Sequence, residues 1–160
     1  MKTAKEVDKT LELAGKIAGK YGHAYISTEH FLLAMFKNKE FSELLMDFGI
    51  QLDELRLDLE SHLVDAYNKI NSGAGQIKTQ SLERVFNRAL TSVLFSGRET
   101  VTLLDILISI MSESNSHGSY FLMKYNLNRE DFLRFVKQNN RHAQLNKQQE
   151  QYLDGIINEY

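Results

Sequence analysis

One fifteen-residue pattern occurs twice in this chain, and it limits the fold more than any other feature. Residues 22–36, GHAYISTEHFLLAMF, return at residues 97–111 as GRETVTLLDILISIM, a constant offset of 75 residues. Each copy runs from a glycine through an apolar residue to a hydroxyl side chain, Ser27 or Thr102, and then into an apolar segment. Serine and threonine in that position cap helix N-termini, so each copy reads as the end of one helix, a turn and the start of another. A repeat of this length is a whole supersecondary unit used twice, which predicts one pseudo-symmetric domain rather than an array.

Helical periodicity fills in the rest. Val7, Leu11, Ala14 and Ala18 form a stripe on a first helix expected over about Thr3–Lys20. Phe31, Leu32, Met35 and Phe36 follow the Ser27 cap, with Glu29 in the first turn where a carboxylate suits the helix dipole. A short helix over Glu40–Phe48 should stop at Gly49, and Asp53 opens a fourth, on which Leu52, Leu55, Leu59 and Leu63 recur. After the glycine-rich stretch 71–75, read as a connector, Leu82, Val85, Phe86, Ala89 and Val93 line the equivalent of the first helix. Thr102 caps the next, with Asp105 completing a short capping box. Phe121, Leu122 and Tyr125 then correspond to Leu44, Leu45 and Phe48, Leu127 to Ile50 and Phe132 to Leu55. The offset has become 77, so the segment Ser112–Gly118 has gained two residues. Beyond about Lys137 the chain turns polar, with a weak final helix near Tyr152–Ile157. The fold class expected is all-α: two pseudo-symmetric four-helix repeats packed into one globular domain.

Composition narrows the function by exclusion. The chain has 160 residues, 42% hydrophobic and 25% charged, with a net charge of −2, which speaks against a general nucleic-acid binder. Residues 1–75 hold nine Lys and Arg against twelve Asp and Glu, and residues 76–160 hold ten against nine, so only local clusters could matter. There is no cysteine, which removes disulfide and thiolate chemistry. The N-terminus lacks a signal-peptide core and no apolar run would span a bilayer, so a cytoplasmic protein with no membrane partner is expected. No phosphate-cradling glycine-rich loop, nucleophile elbow or His-Glu-x-x-His motif occurs, so no ATPase or peptidase activity of its own is expected.

Two constellations stand out. His23, Glu29 and His30 are close enough in sequence to invite a metal, yet adjacent helical residues point about 100° apart, and a first-turn acid beside a partly buried histidine explains them as well. Arg84 and Arg88 lie one turn apart with no acid at i±3 or i±4. They read either as a solvated face or cross-helix salt bridge, or as a cationic patch for an acidic partner.

The tandem pattern, with TEHFLLA at Thr28–Ala34, resembles the Clp N-terminal repeat domain of the Hsp100 AAA+ unfoldases. LERVFNRA at 82–89 and SGRETVT at 96–102 look most like the ClpA type, and SESNS at 112–116, YFLMK at 120–124 and NRED at 128–131 continue the likeness to about residue 137. The resemblance implies a double-repeat domain at 1–138, with repeats at about 1–70 and 76–138, and a linker at 139–160 leading toward an AAA+ module. It implies an adaptor- and substrate-docking domain of an ATP-dependent unfoldase that serves the ClpP peptidase and takes substrates bearing N-degrons from the adaptor ClpS. The alternative is a stand-alone regulator that binds a Clp protease or its adaptor. No cofactor is expected in this chain; ATP and Mg would belong to the AAA+ modules.

Residue by residue, the resemblance places adaptor binding at Thr79, Arg84, Arg88 and Arg129, and a peptide or ligand pocket at Glu29. Zinc is implied near His23 and Glu29. Phosphoarginine reading, known in ClpC-like relatives, is not expected, because Ala4 stands at the threonine position and Leu104 at that of the second acid.

Overall fold

A computed structural model describes residues 2–65, 77–114 and 116–139. The first half runs β1 (Lys2–Thr3), α1 (Lys5–Lys20), β2 (Tyr25–Ile26), α2 (Thr28–Met35), α3 (Lys39–Phe48) and α4 (Leu52–Asp65). The second repeats that order as β3 (Ile77–Lys78), α5 (Gln80–Phe95), β4 (Thr100–Val101), α6 (Leu103–Met111), α7 (His117–Lys124) and α8 (Arg129–Asn139). All eight expected helices up to residue 139 are present. The connector at 71–75 and the expected helix at 152–157 lie outside the described residues.

The strands correct the sequence reading. Thr3 was expected in the first helix, but it lies in β1, which pairs in parallel with β4. In mirror fashion β3 pairs with β2, with Tyr25 beside Ile77 and Ile26 beside Lys78. Each half thus lends its leading dipeptide to the other half's turn. Two-residue strands give no period for a sequence to display, which is why they are not legible beforehand.

Helix ends repeat as faithfully as helix faces. The N–H groups of His23, Ile50, Arg98 and Leu127 each donate to a carbonyl five residues back, on Ala18, Leu45, Val93 and Leu122. That bond is the mark of a Schellman closure, which needs a left-handed residue just before it. Gly22 (φ 73°), Gly49 (φ 110°) and Gly97 (φ 76°) supply it, and Asn126 (φ 66°) does so in the fourth case. Asparagine is one of the few side chains that tolerates this region.

The apolar stripes meet in one continuous core. α2 is buried along its whole length, from Thr28 to Met35, so it is enclosed by its neighbours rather than amphipathic. The halves interlock through aromatic edges: Phe31 on Phe86 at 5.5 Å, and Phe48 on Phe132 at 5.3 Å. At the rim, Asp58 of α4 accepts from Lys124 Nζ (2.6 Å) and from the Tyr125 hydroxyl (2.8 Å). These bonds to the half-exposed Lys124 and Tyr125 hold the Asp58 carboxyl below its ordinary pKa against the opposing effect of burial.

α7 approaches α2 closely because Gly118 has no side chain. A Cβ there would sit 2.8 Å from Thr28 Oγ1 and 3.2 Å from Leu32 Cδ1. Thr28 is β-branched and buried, with little room to yield. Gly118→Val should therefore lower unfolding stability by about 2 kcal/mol, read from urea titrations; a loss below about 0.5 kcal/mol would show that α7 can move away freely.

Candidate functional site

The cationic face of α5 is built from its N-terminus onward. Thr79 caps the helix, its hydroxyl oxygen accepting from Leu82 N–H at 3.1 Å. Its counterpart in the first half, Ala4, makes no side-chain cap bond. Arg84 and Arg88, though lacking acids on their own helix, do not stand as bare charges. Both reach Glu113 in the α6–α7 loop, whose side chain is only 5% exposed. Arg84 donates from Nε (2.9 Å) and Nη2 (2.7 Å) to one carboxylate oxygen, and Arg88 Nη2 donates to the other at 2.7 Å. Arg88 Nη1 also donates to the Ser109 carbonyl at 2.8 Å. Burial alone would raise the Glu113 pKa, but the two guanidinium groups more than offset it and hold it below the ordinary value.

The cross-helix salt bridge is therefore the local structure, and the partner was hidden 25 and 29 residues away. The triad keeps one net positive charge. Arg84 remains half exposed and Arg88 about one-third exposed, so the guanidinium groups are fixed in place yet still reach the surface. Arg129 opens α8 and is half-buried.

Around the first turn of α2 the structure gives His23 and Glu29 different partners. His30 is the third residue of a capping box: its Nδ1 accepts from Ser27 N–H at 2.9 Å, while its own backbone N–H points at Ser27 Oγ. An accepting Nδ1 leaves the proton on Nε2, which then donates to His23 Nδ1 at 2.9 Å. Burial first, and His23 second, lower the His30 pKa to about 3. The second half builds the same junction from different chemistry. Arg98 and Asp105, at the positions of His23 and His30, form a buried bidentate pair with both bonds at 2.9 Å. Asp105 Oδ2 also accepts from Thr102 N–H at 2.7 Å, closing the equivalent box.

Glu29 faces the other way, toward α4 and α7. Its Oε1 lies 3.3 Å from Nδ1 of His117, and its side chain is 5% exposed. The His62 ring, on α4, sits 4.5 Å from that of His117 between centroids. The zinc pair implied by the resemblance therefore does not fit as a pair: His23 serves the capping junction, whereas Glu29 meets His62 and His117. At the pseudo-symmetric position of Glu29 stands Leu104, partly buried, which leaves the second half without an equivalent acid.

Glu113, His62 and His117 escaped the sequence reading. Two of them, Glu113 and His117, lie within the segment with the two-residue gain, so the break in the repeat was the available signal. The loop from α2 to α3 spans residues 36–38, whereas that from α6 to α7 spans residues 112–116.

A family model for the Clp repeat N-terminal domain matches residues 2–125. The chain belongs to that family. Among curated relatives of this Clp N-domain, a ClpA homolog protein of Fuscovulum blasticum is 26% identical over 133 residues, which is 81% of this chain and 17% of that protein. The chaperone protein ClpB of Clostridium tetani is 24% identical over 138 residues, 83% of this chain and 16% of ClpB. The chain thus spans about one-sixth of the length of these relatives. Among solved structures, the Hsp104 N-terminal domain from Candida albicans superposes with a TM-score of 0.74 at 14% identity, covering 94% of this chain and 99% of its own. The N-terminal domain of ClpD from Arabidopsis thaliana gives 0.66 at 17% identity, covering 85% and 95%. The double-repeat architecture is thus that of Clp and Hsp100 N-terminal domains. Among the described residues, no helix is long and apolar enough to cross a membrane.

Proposed function

We propose that this Clp N-domain is the adaptor- and substrate-docking module of a ClpA-like, ATP-dependent unfoldase of a Clp protease, and that a ClpS-type adaptor seats on the face of α5. The observation that carries the reading is the Arg84–Arg88–Glu113 triad. Two long side chains normally lose considerable rotamer freedom when they bind a partner. Here a buried carboxylate has already fixed both, while the pair still presents net positive charge at the surface. Such preorganised arginines suit an acidic docking surface. The ClpA homolog among the relatives is consistent with the type of parent protein. Thr79 and Arg129 join the proposed contact by resemblance, and ClpP, ATP and Mg concern the ATPase ring of that proposed parent.

The test is a pull-down with purified ClpS, comparing the unmodified chain with Arg84→Glu/Arg88→Glu and with Arg84→Gln/Arg88→Gln. The glutamine pair removes charge without placing a second carboxylate against Glu113. The glutamine pair is the control for folding and should retain helicity by circular dichroism; both variants should lose capture, corresponding to an affinity drop of about tenfold or more. Undiminished capture by both would refute docking on this face.

A further inference from the structure

Three side chains from three helices converge beside the first turn of α2. Glu29, His62 and His117 each offer one ligand atom, and these atoms all lie within 4.8 Å of one another. The geometry points to a binding site for one zinc-class divalent cation, held by Glu29 of α2, His62 of α4 and His117 of α7. Two imidazoles and one carboxylate are a borderline-soft set that suits zinc, with a fourth position left for water. Tetrahedral ligands around zinc stand about 3.4 Å apart. Glu29 and His117 already stand at 3.3 Å, and side-chain rotation at the half-buried His62 can close the rest.

The surroundings hold the ligands in place. The absent side chain of Gly118 is what lets the start of α7 press on Thr28 and so brings His117 to Glu29. The His62 ring packs edge-on against Phe121 at 5.3 Å. Glu29 is buried, and Thr28 Oγ1 lies 3.5 Å from its second carboxylate oxygen. His117 is the exposed member, at 55%, which gives an ion a path from solvent. The site also breaks the pseudo-symmetry: Leu104 stands where Glu29 would recur.

Because α2 and α4 belong to the first half and α7 to the second, the ion would link the halves. Zinc binding to the folded state alone raises stability by mass action. The experiment is a Zn²⁺ titration of the chelator-treated 160-residue chain by calorimetry, with melting curves before and after EDTA and with Co²⁺ absorption as a reporter of coordination. Binding of one ion is expected, with a melting transition raised by zinc and returned by EDTA. His62→Gln and His117→Gln should each weaken binding by at least the roughly 10–100-fold that even an outer-shell change costs. His23→Gln should leave affinity unchanged. The site is overturned if millimolar Zn²⁺ gives no binding, or if binding persists in His62→Gln and His117→Gln.

Discussion

Replacing Arg98 with alanine is expected to cost about 3–5 kcal/mol of unfolding stability, a large part of what holds a domain of this size together. Arg98 and Asp105 are 6% and 1% exposed, so the change leaves a carboxylate buried without its guanidinium. Asp105 is also committed to the cap of α6, where it accepts from the N–H and hydroxyl of Thr102. The first half shows a neutral solution to the same junction, in which His23 and His30 bridge the turn to the cap. Transplanting it as Arg98→His/Asp105→His should therefore cost less than Arg98→Ala alone, because no charge is stranded. Urea titrations of the three chains decide it. A loss under about 1 kcal/mol for Arg98→Ala would show that water or another cation replaces the guanidinium without difficulty.

The second large effect is on acid stability. His30 has a pKa of about 3 in the folded chain, against about 6.5 when unfolded. Between those values the unfolded chain holds a proton that the folded chain does not. Stability from this group is full above about pH 6.5 and is lost as pH falls, at up to about 1.4 kcal/mol per pH unit, until about pH 3. The cause is steric as well as dielectric: a proton on Nδ1 would face the N–H of Ser27 at 2.9 Å. His30→Gln preserves a capping-box side chain and removes the titration. It should be less stable at pH 7 but flatter from pH 6.5 to 4.5, by about one proton's slope. Parallel pH profiles for the two chains would show that His30 already accepts its proton near the ordinary value.

Much of the scaffold could be read from the residues. Ser27, Thr102 and Asp105 were recognisable as caps because their chemistry is local, and Val7, Ala14 and Ala18 because helical spacing betrays a buried face. Long-range partners were not legible. Nothing near Arg84 announces Glu113, and nothing near Glu29 announces His62 or His117; those meetings depend on how α4, α6 and α7 pack. The same limit applies to His30, whose ring looked like a candidate ligand until the Ser27 N–H claimed its Nδ1. The repeat, by contrast, was a sound guide to where the halves differ. Its two gained residues lie in the loop that carries Glu113 and leads into His117.

This inequality offers the most direct test of docking on one half of a symmetric scaffold. Arg84 has a pseudo-symmetric counterpart in Lys9, which is exposed on α1. Calorimetric titration of a ClpS-type adaptor into Arg84→Gln and into Lys9→Gln removes one positive charge from equivalent places. Affinity should fall about tenfold for Arg84→Gln and stay unchanged for Lys9→Gln. Equal losses from both, or none from Arg84→Gln, would contradict such docking.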